Sequence, residues 1–191
     1  MKGILVQTTL NEKKDLREII RSGIIGTSSK ALGSQPPSFK DRPLVFCSYV
    51  CRGYPEVYGN REGIMFETDS QIAYACPTDS FELMRSGNYL PGHERFLFPS
   101  IKEMLKRYPT SEDFKKDFQE YFRKLKPEEI YTPGILMPEN HARVLYEGDY
   151  CLSTVHLWNP GCNEVTFAKP LRVKNCRMFN SKEELAVLYR E

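Results

Sequence analysis

Three short patches carry the residue types that could do chemistry. Gln7, Thr8 and Thr9 end a strand-like apolar run just before a helix signal. Backbone N–H groups at such a junction attract anions, although Thr9 serves equally as a plain helix cap. Ser48, Tyr49 and Arg52 follow a second apolar run, residues 44–46, within LVFCSYVCRGYPEVYG. Arginine suits two-point contact with phosphate; a surface ion pair is the other ordinary use of Arg52. Glu164 opens the run Glu-Val-Thr-Phe behind the loop Asn159-Pro160-Gly161-Cys162-Asn163. A carboxylate at a strand mouth can hold a sugar hydroxyl or activate a nucleophile, and the same residue type is common at exposed strand edges. Tyr49, Tyr54 and Tyr58 offer rings for stacking on a planar ligand.

The familiar motifs are absent. There is no GxGxxG, no GxxxxGK followed by Ser or Thr, and no GxSxG. His93, His141 and His156 are far apart and hold no metal-ligand spacing. The six cysteines, Cys47, Cys51, Cys76, Cys151, Cys162 and Cys176, form no CxxC. Cys47 and Cys51 stand four apart without a second pair to close a zinc site, so no metal is expected. Reduced thiols fit a cytoplasmic location. The start of the chain turns polar too soon for a secretory leader, and no long apolar run spans a membrane. A net charge of +2 does not by itself imply nucleic acid. Lys169, Arg172, Lys174 and Arg177 nevertheless form a denser basic group that would either line a phosphate backbone or keep an edge strand soluble.

The elements that must position these patches are readable in outline. With 191 residues, 40% of them hydrophobic, the chain is expected to fold as one α+β domain over residues 1–191. Gly3–Thr8 reads as a strand. Thr9 and Glu12 suggest a capping box, opening a helix with Leu16, Ile19 and Ile20 on one face and Gly23 at its stop. Residues 27–42 read as a long loop and 44–50 as a buried strand. Residues 64–66 and 72–75 flank Thr68-Asp69-Ser70, which suggests a hairpin. Residues 100–108 and 112–125 read as helices, the second with a stripe of Phe114, Phe118, Tyr121, Phe122 and Leu125. Strands are expected at 144–146, 150–156, 164–167 and 171–173. Ser181 and Glu184 suggest a second capping box before a last short helix.

Taken in order, the patches resemble the ADP-ribosyltransferase fold. Val6-Gln7-Thr8-Thr9 followed by DLREIIRSGII is similar to the family pattern His-x-Thr before a helix that ends in Gly, with Gln7 where a histidine is usual. Within the fold, the chain most resembles the DarT-type DNA ADP-ribosyltransferase toxins. Residues 46–58 look like their aromatic strand running into an arginine loop, with Arg52 at the arginine. Asn163-Glu164-Val165-Thr166-Phe167 looks like their final glutamate strand. Residues 79–140 match no part of that pattern. The resemblance implies a split antiparallel sheet core with flanking helices and a cleft for NAD. It implies Glu164 and Arg52 as catalytic residues, and NAD contacts from Gln7, Thr8, Thr9, Ser48, Tyr49 and Tyr58. It further implies transfer of ADP-ribose to a macromolecule such as a nucleic-acid base, an antitoxin-like protein partner, and no membrane. A non-catalytic nucleotide- or nucleic-acid-binding module on the same fold is the alternative.

Overall fold

The computed structural model describes residues 3–8, 13–26, 44–57, 62–78, 84–85, 88–89, 91–125, 161–168 and 170–188. Its strands are β1 Gly3–Thr8, β2 Ile24–Ile25, β3 Leu44–Cys51, β4 Gly63–Glu67, β5 Ile72–Cys76, β6 Met84–Arg85, β7 Asn88–Tyr89, β8 Glu164–Ala168, β9 Leu171–Arg172 and β10 Lys174–Phe179. Its α-helices are α1 Lys13–Ser22, α2 Ile101–Arg107, α3 Ser111–Phe122 and α4 Lys182–Leu188, with a 3₁₀ turn at His93–Phe96. The architecture is α+β.

Six strands form one sheet in the order β10-β4-β1-β3-β8-β5, antiparallel throughout. β3 joins its two halves, each along a different stretch. Residues Leu44 to Cys47 pair with β8, whereas Ser48 to Cys51 pair with β1. The exchange of partner falls between Cys47 and Ser48, beside the expected site. β2 and β9 form a separate small ribbon, as do β6 and β7.

Side chains alternate between the faces of a strand, so register decides what covers each face. On one face Leu5, Val45, Cys47, Ile64, Phe66, Val165 and Phe167 pack with Leu16 and Ile19 of α1. The other face holds two apolar clusters. Leu44, Phe46, Tyr74 and Cys76 lie under Phe96 and the α3 residues Phe114, Phe118 and Tyr121. Val6, Val50, Met65 and Phe179 lie with Val57 and Leu185 of α4. Ser48 falls between Phe46 and Val50 on this face, at the seam between the clusters.

α2 and α4 form where the sequence places them, and α3 ends at Phe122, short of the expected residue 125. Thr110 and Asp113 make a reciprocal capping box at α3, and Ser100 caps α2 by accepting from the Glu103 N–H. Phe114, Phe118 and Tyr121 of the α3 stripe are buried, with Phe96 edge-on to Phe114 and to Tyr121 at centroid distances of 5.4 Å and 5.1 Å. Asp117 joins this layer together, accepting from the Tyr108 hydroxyl and from Arg95. α1 ends at Gly23, whose φ of 67° suits glycine and whose N–H donates to the Ile19 carbonyl at 2.8 Å. At α4, Ser181 accepts from the Glu184 N–H, while Glu184 reaches back to the Asn180 N–H.

Two expectations need correction. Residues 64–66 and 72–75 form no hairpin: β4 pairs with β1 and β10, and β5 with β8. Thr68 instead donates to the Arg172 carbonyl, and Asp69 pairs with Lys174, so the segment between the strands follows the β9–β10 corner rather than folding back. Ile20 is not on the buried face of α1, being 38% exposed. The Thr9–Glu12 box, the loop at 27–42, the strands expected at 144–146 and 150–156, and the Phe122 side chain lie outside the described residues.

Candidate functional site

Glu164 begins β8 and is only 6% exposed, which is uncommon for a carboxylate without a partner. The Tyr74 hydroxyl, from β5, donates to Glu164 Oε1 at 3.1 Å. The pairing explains why these two meet. Tyr74 stands opposite Thr166 and Cys76 opposite Glu164, so all four share one face, and the tyrosine reaches one rung along it. Thr166 is fully buried, and its hydroxyl has no hydrogen-bond partner among the described residues. It leaves a spare donor and acceptor on the Glu164 face. Cys47 stands opposite Val165, so alternation puts the buried Ser48 on the same face as Glu164. Ser48 in turn pairs with Val6, and two residues on Thr8 points the same way. The sheet thus brings Thr8, Ser48 and Glu164 to one face, with Tyr74 and Thr166.

Asn163 fixes the entry to β8. Its side-chain oxygen accepts from the Tyr49 N–H and its amide nitrogen donates to the Tyr49 carbonyl, each at 2.8 Å. The loop before it is anchored as well: Gly161 accepts from the Glu56 N–H at 3.1 Å. Gly161 has a φ of 94°, and a Cβ there would lie 3.0 Å from Glu56 Cγ, so glycine suits both the backbone and the contact. Glu56 is also paired with Lys182 of α4.

The remaining expected residues go elsewhere. Gln7, Cys47 and Tyr49 lie on the opposite, α1-covered face. The Cys47 thiol donates to Gln7 Oε1 at 3.2 Å, and Gln7 Nε2 donates to the Thr8 carbonyl at 3.0 Å. The side-chain amide is therefore occupied locally. Burial, and then the Glu164 charge, push the Cys47 thiol well above its ordinary range, which keeps it a neutral donor and not a thiolate nucleophile. The Tyr49 ring lies over Gly3, where a Cβ would come within 2.5 Å of it. Burial, then the neighbouring Cys51, raise the Tyr49 hydroxyl pKa.

Arg52 is exposed in the turn after β3. It stands four residues beyond Ser48, roughly 13 Å of extended strand. That turn is docked on the α2–α3 connection, where Gly53 leaves no room for a Cβ against the Pro109 carbonyl and accepts from the Ser111 N–H. Tyr54 is fully buried, its hydroxyl donating to the carbonyls of Tyr108 and Thr110, so its ring is core and not a stacking platform. Thr9, Tyr58 and Lys169 lie outside the described residues. Of the basic group, Arg172, Lys174 and Arg177 do not share one strand face. Arg172 belongs to β9 and Lys174 to β10, Asn175 has a φ of 53°, and the register shifts before Arg177.

Tyr74 and Asn163 were not singled out by sequence reasoning. Asn163 carried one usable signal, a side-chain amide directly before the glutamate. Tyr74 carried none, because its role depends on a strand pairing. Among the described residues no cluster of His, Cys, Asp or Glu could hold a metal ion, and no helix is long and apolar enough to cross a membrane. Comparison with protein-family models, with curated proteins and with solved structures finds no match to this chain.

Proposed function

We propose that the protein is an NAD-dependent mono-ADP-ribosyltransferase acting on a macromolecule, with a nucleic-acid base as the candidate acceptor. The observation that carries this reading is the buried Glu164 carboxylate at the mouth of β8, oriented by Tyr74 and facing the same way as Ser48 and Thr8. A fixed carboxylate is what the reaction calls for. The bond between ribose C1′ and the nicotinamide nitrogen breaks, and its electron pair leaves with the nicotinamide. Positive charge develops on the ribose, where Glu164 stabilises it and accepts a hydrogen bond from a ribose hydroxyl. The acceptor's nucleophilic atom then bonds to C1′ and gives up its proton. Ser48 and Thr8 supply hydroxyls on that side. Arg52, exposed beyond the strand, answers phosphate or acceptor charge.

The resemblance set out above supplies the reaction class, and the placement of Glu164 supports it. The test is nicotinamide release from NAD by the purified protein, with and without single-stranded DNA, RNA or cell extract. Release that falls at least about 100-fold in Glu164→Gln, with melting temperature kept, is the expected result. Release that survives this substitution overturns the assignment. The component that accelerates release identifies the acceptor class.

A second reading rests on Gln7. Its amide is taken up by Cys47 and the Thr8 carbonyl on the face away from Glu164. A non-catalytic nucleotide- or nucleic-acid-binding module accounts for that arrangement. It predicts measurable NAD or oligonucleotide binding with no nicotinamide released under any condition.

A further inference from the structure

We propose that Asn163 is a positioning residue for Glu164: its side-chain amide acts as an extra rung of the β3–β8 ladder and sets where the carboxylate stands. This inference rests on the reading of Glu164 given above.

The backbone pairing of β8 with β3 covers Val165 to Ala168 on one strand and Leu44 to Cys47 on the other. Glu164 lies just past that ladder. The chain before it is drawn away, because the Gly161 carbonyl accepts from Glu56 N–H in the segment after β3. Left so, Glu164 would be paired on its β5 side alone, opposite Cys76, and the β3 side of the strand end would be open to fraying. The Asn163 side chain removes the slack. It is itself buried, and it offers one acceptor and one donor, each 2.8 Å from the matching group of Tyr49. An amide side chain reproduces the peptide group that a continued ladder would have placed there. Glu164 is thereby held between a side-chain rung at Asn163 and a backbone rung at Val165. The Tyr74 hydroxyl then meets its Oε1 from β5.

Chemistry makes this rung specific to asparagine. Aspartate would set a second acceptor against the Tyr49 carbonyl. Alanine would leave both Tyr49 backbone groups unpaired in a buried place. Glutamine carries the same amide on a longer stem and would push the strand end outward. The strand beyond Val165 keeps its own hydrogen bonds in every case, so the change should fall on Glu164 before it falls on the fold.

The experiment compares wild type with Asn163→Ala and Asn163→Asp in steady-state nicotinamide release, at a temperature where all are folded. Phe118→Leu in α3 serves as a control for general destabilisation. The expected result is a fall in kcat of about 10- to 100-fold in both Asn163 variants, with KM for NAD changed less than about threefold and Phe118→Leu close to wild type. Asn163 variants that keep kcat, or that lose it only in step with the destabilised control, overturn the inference. If wild type releases no nicotinamide, the reading of the site fails separately. Positioning is then decided by amide exchange at Tyr49 and by the structure of Asn163→Ala. Faster exchange with Glu164 moved away from Tyr74 sustains the inference, and Glu164 unmoved overturns it.

Discussion

The two faces of β3 put similar polar chemistry to different ends. On the face under α3, Ser48 shares its surroundings with a carboxylate, Glu164, that is held by a phenol. On the face under α1, Cys47 is joined to a neutral amide, Gln7. Both pairs are shielded, and both lie where β3 changes partner from β8 to β1. The α1-side pair satisfies itself: a neutral thiol donates, an amide oxygen accepts, and the other end of the amide caps the Thr8 carbonyl. The α3-side group is a carboxyl that accepts from the Tyr74 hydroxyl, with the Thr166 hydroxyl on the same face. A buried neutral pair is a structural solution. A buried carboxylate costs stability unless it is paired or hydrogen-bonded, and such groups gather at functional sites. Under the proposed reaction, the Glu164 face carries the chemistry and the Gln7 face the packing.

The sharpest way to break that contrast is to exchange the roles experimentally. Glu164→Gln should lower nicotinamide release at least about 100-fold, whereas Gln7→Ala should change it by less than about fivefold. Equal losses from the two would mean that both faces reach the substrate, and the division between them would fall. A smaller effect is expected at Tyr74→Phe. Deleting the hydroxyl removes the Tyr74 donor from Glu164 Oε1 in a buried place, a loss of about 1–3 kcal/mol. Release should drop about 10-fold and the melting temperature should fall by roughly 2–12 °C, as read by steady-state kinetics beside thermal unfolding. Wild-type activity in Tyr74→Phe would show that the phenol only packs.

How far the sequence carries a reader depends on whether the information is local. The α2 and α3 helices, with their caps at Ser100 and Thr110 and the stripe of Phe114, Phe118 and Tyr121, are fixed by neighbours three or four residues apart. The existence of β1, β3, β4, β5 and β8, strands of five to eight residues, follows from the short apolar-rich runs within them. Their pairing does not. Thr68-Asp69-Ser70 has hairpin chemistry, yet Thr68 and Asp69 bond to Arg172 and Lys174, 104 and 105 positions away. The candidate site suffers most, because it is made only of such contacts. Tyr74 meets Glu164 across 90 positions, and Asn163 meets Tyr49 across 114. Gln7 and Glu164 were legible as polar residues at strand ends. That they face opposite ways follows only once Val6 is set against Ser48 and Cys47 against Val165.

The smallest effect centres on the α1-side thiol, and it reports on protons instead of turnover. Burial, then the Glu164 charge, hold the Cys47 thiol above its ordinary value of 9.0. Burial does the same to Cys51, and raises Tyr108 to about 12. In the unfolded chain these groups lose their protons at ordinary values, so above about pH 9 the unfolded state binds fewer protons than the folded state. Stability is therefore fully present below that pH and declines as pH rises. Cys47 contributes at most about 1.4 kcal/mol per pH unit to the decline. Urea unfolding of wild type between pH 8 and pH 10.5 should show the fall, and Cys47→Ala should show a shallower one, whatever its stability at pH 8. A slope unchanged by Cys47→Ala would mean that this thiol ionises in the folded protein. The α1 face would then hold a reactive group of its own, and the contrast between the faces would have to be redrawn.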